Sequence, residues 1–235
     1  MTRTEPFIVG SKSPAIIPMY LPGLVLVHGL KESGKSTIAD HLCNVHGYVR
    51  VKMAGPLKNM LRSLLRDAGV DEAVIERHVE GDLKEVPIPQ MSGRTARQLM
   101  QTLGDEWRKM QAEDFWVNIA EGKVRQLHAQ GQRVVIDDIR YVVEFCRFSI
   151  FNPLTFVTTR GPKHFEPIEE TRHPGERPLP VQMFASHFTN DYGTKEELWG
   201  VVDDVLGNYT GYRELQASAG VLPRHLDPAE QLLAA

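Results

Sequence analysis

The stretch Leu24-Val25-Leu26-Val27-His28-Gly29-Leu30-Lys31-Glu32-Ser33-Gly34-Lys35-Ser36-Thr37 decides how the rest of the chain is read. Its four leading apolar residues suit a short strand buried on both faces. Residues Gly29 to Ser36 then satisfy the pattern G-x4-G-K-[ST] without a mismatch, directly after a strand and at the opening of a helix. The chemistry accounts for the spacing. A loop that wraps a phosphate must turn its N–H groups inward, and Gly29 and Gly34 permit the turns and the close approach. The intervening Lys31, Glu32 and Ser33 supply further amides. A helix from Lys35 to about Val45, with Ile38, Ala39 and Leu42 at helical spacing, adds its unpaired first-turn amides and the positive end of its dipole. Lys35 is placed to bridge β- and γ-phosphates, Ser36 to hold Mg²⁺, and Thr37 completes the turn. The implied cofactors are ATP and Mg²⁺.

Working outward, Gly47 ends the first helix and Tyr48 to Met53 reads as a second strand. Pro56 opens a helix whose apolar stripe is Leu57, Met60, Leu61, Leu64 and Leu65. Residues 71–93 are polar and punctuated by Gly81, Pro87, Pro89 and Gly93, the pattern of a mobile excursion. Helices are expected over Thr95–Met110 and Asp114–Gln130. A β-branched strand then runs from Arg133 to Ile136 and ends in Asp137-Asp138. A helix over Tyr141–Phe148, a strand over Leu154–Thr159 and a strand around Met183–Phe188 complete the alternation. The final amphipathic helix begins with Thr194 as N-cap and Glu197 as its capping-box partner.

Strands alternating with helices imply right-handed crossovers and parallel pairing. The expected fold is α/β, a doubly wound parallel sheet of about five strands flanked by helices, of P-loop kinase type with a mobile lid. The expected boundaries are an N-terminal arm at 1–22, the kinase-like domain at 23–212 and a C-terminal tail at 213–235. The proline-rich loop at about 160–182 is the lid.

Composition narrows the class. The 235 residues are 42% apolar and 24% charged with a net charge of −3, which does not describe a protein that coats nucleic acid. No stretch approaches the ~18 apolar residues of a membrane span. Cys43 and Cys146 stand far apart without a CxxC or His-rich partner spacing, so they read as reduced, mostly buried thiols rather than a disulfide framework or a zinc site. A soluble, cytoplasmic protein is the expectation.

An acidic strand end beside such a loop holds Mg²⁺ or orients the attacking oxygen, which makes Asp137 the candidate metal ligand together with Ser36, and Asp138 a candidate catalytic group. Two aspartates can equally cap the next helix. Phosphoryl transfer between two anions also needs cations to offset their repulsion. Arg140, Arg160 and Arg172 are the catalytic candidates of that kind, and Lys58, Arg62, Arg94, Arg97, Arg108, Lys163 and Arg177 are further cations near loops.

The order of this loop, AGPLKNML (Ala54–Leu61), GRTARQLMQTLGDEWR (Gly93–Arg108), VVIDDIRYVVE (Val134–Glu144) and NDYGTKEELW (Asn190–Trp199) resembles the bacteriophage deoxynucleoside monophosphate kinases over roughly residues 24–206. The resemblance implies transfer of the γ-phosphate of ATP to a deoxynucleoside 5′-monophosphate, in the host cytoplasm if the protein is phage-encoded. Ala54, Pro56, Leu57 and Lys58 would then line the monophosphate side. Arg94, Arg97, Gln101 and Arg108 would approach the acceptor nucleotide, with Gln101 offering paired amide contacts to a base. Trp107 is a candidate stacking residue, though a core tryptophan is the commoner case. Two departures from the family bear on the acceptor: Tyr141-Val-Val-Glu144 stands where Asn-Glu is usual, and His173-Pro174-Gly175-Glu176 where His-x-Ser-Glu is expected. The partners implied are small-molecule nucleotides, with a homodimer left open. A kinase acting on a modified base in DNA, or a P-loop ATPase or GTPase, are the alternative readings.

Overall fold

The structure, a computed structural model, describes residues 21–160, 177–191 and 193–218. The elements run in the order β1 (Leu24–His28), α1 (Lys35–His46), β2 (Val49–Val51), α2 (Gly55–Asp67), α3 (Glu72–Val79), β3 (Pro87–Ile88), β4 (Arg94–Thr95), α4 (Ala96–Met110), α5 (Phe115–Ala129), β5 (Val134–Ile136), α6 (Val142–Phe148), β6 (Leu154–Thr159), β7 (Ser186–Thr189) and α7 (Lys195–Ser218). Five strands form one sheet in the order β2-β5-β1-β6-β7, and every neighbouring pair is parallel. The chain leaves β1 toward the β2 edge, returns to β5, and then crosses to β6 and β7. That reversal of direction around β1 leaves a crevice at the carboxyl ends of the strands. The α/β expectation of about five parallel strands flanked by helices is met.

Alternation along the strands builds two cores from one sheet. Leu24, Leu26, Val134 and Ile136 face Val117, Val124 and Phe148 of α5 and α6. Val25, Val27, Val135 and Phe156 face Ile38 and Leu42 of α1 and Leu198, Val202 and Leu206 of α7. β1 is wholly buried, as a central parallel strand should be.

A third apolar cluster lies apart from the sheet and corrects one expectation. Residues 71–93 are not a featureless excursion. Asp71 caps α3 by accepting a hydrogen bond from the Ala73 amide at 2.9 Å. Ile75 and Val79, one helical turn apart, are fully buried with Leu61 and Leu65 of α2 and with Ile88 and Ala96. β3 and β4 then pair antiparallel across Ile88 and Arg94. Two apolar residues one turn apart, Ile75 and Val79, packed on Leu61 and Leu65, outweigh the polar average of the segment.

Smaller boundaries also shift. Leu21 is buried with the α1 core, and the Pro22 carbonyl accepts from the Tyr48 hydroxyl at 2.7 Å. α7 continues to Ser218, past the expected boundary at 212. A 3₁₀ turn, Val181–Met183, occupies the start of the expected last strand, which begins at Ser186. Cys146 is exposed and Cys43 half-buried, so the thiols are less buried than expected. Among the described residues, no helix is long and apolar enough to cross a membrane.

Candidate active site at the carboxyl ends of the strands

The Gly29–Thr37 loop joins β1 to α1 at the centre of this crevice. Its backbone visits the left-handed region at Gly29 (φ 155°), Glu32 (φ 67°) and Gly34 (φ 103°). A side chain at Gly29 would meet the Thr158 carbonyl at 2.3 Å, and one at Gly34 would meet Asn190 Nδ2 at 2.5 Å. Both glycines are therefore demanded by contact as well as by dihedral. Glu32 lacks that freedom and carries strain of the order of 1–3 kcal/mol.

Two side chains from other strands hold the loop from outside. Thr158 Oγ1 donates to the Ser33 carbonyl at 2.8 Å, and Asn190 Nδ2 donates to the same carbonyl at 2.9 Å. The Ser33 hydroxyl is buried without a hydrogen-bond partner. At the base of the loop, His28 Nδ1 lies 2.9 Å from the Ile139 carbonyl, and His28 Nε2 accepts from the Leu179 amide at 3.0 Å. That pair of bonds requires the neutral ring with its proton on Nδ1.

Lys35 lies within this curve, its Nζ donating to the Leu30 carbonyl at 2.6 Å. Burial, and then the nearby Arg140, lower its pKa to about 8. A partly desolvated ammonium held beside a second cation is a site waiting for negative charge.

Asp137 is almost wholly buried and faces two cations of β2 and its continuation. Arg50 Nη2 bonds its Oδ2, and Lys52 Nζ approaches Oδ1 to 2.7 Å. The same Arg50 nitrogen reaches the Ser36 carbonyl at 3.3 Å, so one guanidinium links the two expected metal ligands. Asp138 is turned elsewhere. Its oxygens accept from the Met53 and Ala54 amides at 2.9 and 3.1 Å, which fixes the turn entering α2. Burial, and then Asp137, raise its pKa. The geometry makes Asp138 a positioning group for that turn.

Arg140 is exposed next to Lys35, and its backbone amide donates to Glu144 at 2.6 Å. Arg160 lies across the loop and lines a cleft of about 370 Å³ with Glu32, Lys35, Thr37, Asn190 and Thr194. Thr194 and Glu197 form the expected box at the start of α7, with the Glu197 amide donating to Thr194 Oγ1 at 3.3 Å and the Thr194 amide to Glu197 Oε2 at 3.3 Å. Lys31 and Glu32 are both exposed. Arg172, Lys163 and His173 lie outside the described residues, as does most of the expected lid.

The residues expected on the acceptor side fall on α2, β4 and α4, and a side chain at Gly104 of α4 would touch Leu57 of α2 at 3.6 Å. Lys58 pairs with Glu80 at 2.6 Å, and Arg97 pairs with Glu85. Arg94 is exposed and Gln101 half-buried. Arg108 lies 3.8 Å over the Tyr141 ring, and its Nε and Nη1 are buried with no hydrogen-bond partner. Tyr141 donates to Asp105 at 2.7 Å, and burial raises its pKa. The departure at Tyr141-Val-Val-Glu144 thus produces a platform for Arg108. Trp107 is not a core residue; it is 36% exposed and stacks on Trp116.

Four contributors escaped the sequence. Arg50 and Lys52 carried a signal, since alternate residues of a strand share a face. Thr158 and Asn190 are polar residues at the carboxyl ends of strands, where an open α/β sheet places its ligands.

No protein-family model matches the chain, and no curated protein matches it. Among solved structures, it is similar to a provisionally assigned kinase from Chloroflexus aurantiacus J-10-fl, at 12% identity over 81% of this chain and 98% of that one, with a TM-score of 0.41. Likeness at that level carries no weight for function, which is read from the site alone.

Proposed function

We propose that this chain is a phosphotransferase that moves the γ-phosphoryl group of ATP to a deoxynucleoside 5′-monophosphate. The observation that carries the reading is the Gly29–Thr37 loop. It curves around a half-buried lysine at the switch point of a parallel sheet, with two glycines whose Cβ positions are filled by neighbours. A cradle of that shape, closed by the first-turn amides of α1, suits a polyphosphate.

Lys35 would meet β- and γ-phosphate oxygens, and the incoming negative charge would restore its preference for the ammonium form. Ser36 and Asp137 would hold Mg²⁺, whose charge offsets that of the phosphates. The chemistry of a hydroxyl and a carboxylate suits that ion, and Arg50, which bonds Asp137 and reaches the Ser36 carbonyl, would stand beside it. Arg50 and Lys52 hold the Asp137 carboxylate in place. Arg140, near enough to Lys35 to lower its pKa, and Arg160, which lines the cleft, would offset charge on the transferring group. Arg108, with unpartnered nitrogens over Tyr141, would take the acceptor phosphate, and Arg94, Arg97 and Gln101 its nucleoside. In the transfer an acceptor-phosphate oxygen bonds to the γ-phosphorus, the bond to the β-phosphate oxygen breaks, and ADP leaves with the deoxynucleoside diphosphate.

The test is ADP formation from ATP and Mg²⁺ with each nucleoside monophosphate in turn. Stimulation by a deoxynucleoside monophosphate is expected, together with at least about a 100-fold loss in Lys35→Ala at unchanged thermal stability or better. Turnover only on DNA, or turnover independent of any acceptor, would replace this reading by one of its alternatives.

A further inference from the structure

Away from the crevice, α1 and α7 meet at a cluster that the transfer chemistry does not use. His41 Nε2 and His46 Nε2 both lie on the same oxygen of Asp203, at 2.7 and 2.8 Å. His41 is 6% exposed and His46 14%, while Asp203 is 46% exposed. Three donor atoms of two helices therefore converge, walled in by the imidazoles and open on the carboxylate side. All three lie within 4.8 Å of one another. His41 is further fixed by stacking on Trp199, with ring centroids 5.2 Å apart and planes 9° from parallel.

We propose that His41, His46 and Asp203 bind one divalent transition-metal ion, of the zinc, cobalt or nickel kind, which clamps α7 to α1. Two imidazoles and a carboxylate are the donor set these ions favour, and Mg²⁺ disfavours it. With metal–ligand bonds of about 2.0–2.2 Å, tetrahedral donors stand roughly 3.3 Å apart. The observed separations need to open by about half an ångström, and the exposed Asp203 carboxylate can supply that motion. To ligate the ion, each neutral ring must present a bare Nε2 and carry its proton on Nδ1, so the contacts to Asp203 are exchanged for bonds to the metal. Three protein ligands leave a fourth position for water, and the exposed side of Asp203 provides the entry path.

The clamp has a route to the crevice. Trp199, stacked on His41, donates from Nε1 to the Thr37 carbonyl at 3.4 Å. The metal would thus hold the α7 end of the cleft against the first turn of α1, as a structural tie and not as a participant in transfer.

The test uses the full-length protein, stripped with a chelator and kept free of nucleotide. It is titrated with Co²⁺ and followed by its visible ligand-field bands, then competed with Zn²⁺. The expected result is one equivalent bound, displaced by Zn²⁺ and indifferent to excess Mg²⁺, with a higher melting temperature on binding. Asp203→Asn and His46→Gln should each weaken Co²⁺ binding at least about 100-fold, since loss of a mere supporting contact typically costs 10–100-fold. Their melting temperatures without metal should stay close to that of the parent. Absence of stoichiometric binding in the parent, or binding unchanged in both variants, would overturn the site. Neither outcome touches the assignment of the Gly29–Thr37 loop, which is read by phosphotransfer.

Discussion

Gly34 shows how one atom can matter at two levels. With φ at 103° and the would-be Cβ 2.5 Å from Asn190, Gly34→Ala suffers a left-handed backbone penalty of about 1–2 kcal/mol and must also displace the side chain that holds the Ser33 carbonyl. Gly47 offers the control, because it has φ 71° with nothing within 4 Å of its would-be Cβ. Gly47→Ala should cost about 1 kcal/mol of stability and leave ATP affinity unchanged. Gly34→Ala should lower the melting temperature further and weaken ATP binding at least about tenfold, as measured by calorimetry. Equal ATP affinity in the two variants would remove the loop from the site. Glu144 makes a second residue-scale case. Its Oε2 accepts from the Arg140 and Tyr141 amides at 2.6 and 3.1 Å, yet burial outweighs them and raises its pKa to about 7. The unfolded chain releases this proton near the ordinary glutamate value of about 4.3. Between the two values the folded state holds more protons, so stability falls as pH rises through that window and levels off above it. Glutamine can accept the same two hydrogen bonds without ionising. The stability of Glu144→Gln relative to the parent should therefore rise by a few kcal/mol, at most about 3, between roughly pH 5 and pH 8. A difference that is flat with pH would mean that the carboxyl ionises as easily in the folded protein.

The α2–α3 layer shows what an element contributes beyond its residues. Arg62 pairs with Glu76 and Glu80 across the two helices at 2.6 and 3.1 Å, and Lys58 pairs with Glu80, but these are surface ion pairs worth about 0–1 kcal/mol each. The layer is held by Ile75, Val79, Leu61 and Leu65. Ile75→Ala should cost about 2–5 kcal/mol, whereas Arg62→Ala should cost under about 1 kcal/mol in urea denaturation. Under the proposed function, Ile75→Ala should also raise the KM for the monophosphate and leave that for ATP nearly unchanged, because Lys58 rides on this layer and the Gly29–Thr37 loop does not. The same element marks where the sequence was legible and where it was not. The strand-loop-helix at Leu24–His46 has a buried run, two obligatory glycines and a clean helical stripe, so local chemistry defines it. α3 buries only Ile75, His78 and Val79, and that burial depends on α2, a partner that single-sequence reading cannot see. β3 and β4 are two residues each, too short for any period to register. In the site, the loop and Asp137 were legible from a spacing. The Asp138 contacts with the Met53 and Ala54 amides were not, because they join segments 84 and 85 residues apart. Trp107 looked like a core residue by type alone, and its exposure follows from the solvent-facing side of α4.

At the scale of the molecule, the three apolar clusters are not equivalent. Two of them share the strands of one sheet, so Val25 and Leu26, or Val135 and Ile136, cannot be uncovered singly. The third is built from α2, α3, Ile88 and Ala96 without a residue of the five-stranded sheet. Opening it breaks no parallel pairing and exposes six fully buried apolar residues at most. Cooperative units of that kind open at a free energy below the global one. Native-state hydrogen exchange should therefore find the amides of α3 and of the α2 half facing it exchanging through a sub-global opening, while those of β1 and β5 exchange only by complete unfolding. Under the proposed function such an opening would displace Lys58, so a bound acceptor, which needs the closed form, should slow exchange in α2 and α3 and leave β1 unaffected. ATP analogues should do the reverse, protecting the start of α1 and little of α3. Uniform exchange across all three clusters, or protection of α3 by ATP alone, would show that the layer is part of one rigid body and that the acceptor binds elsewhere.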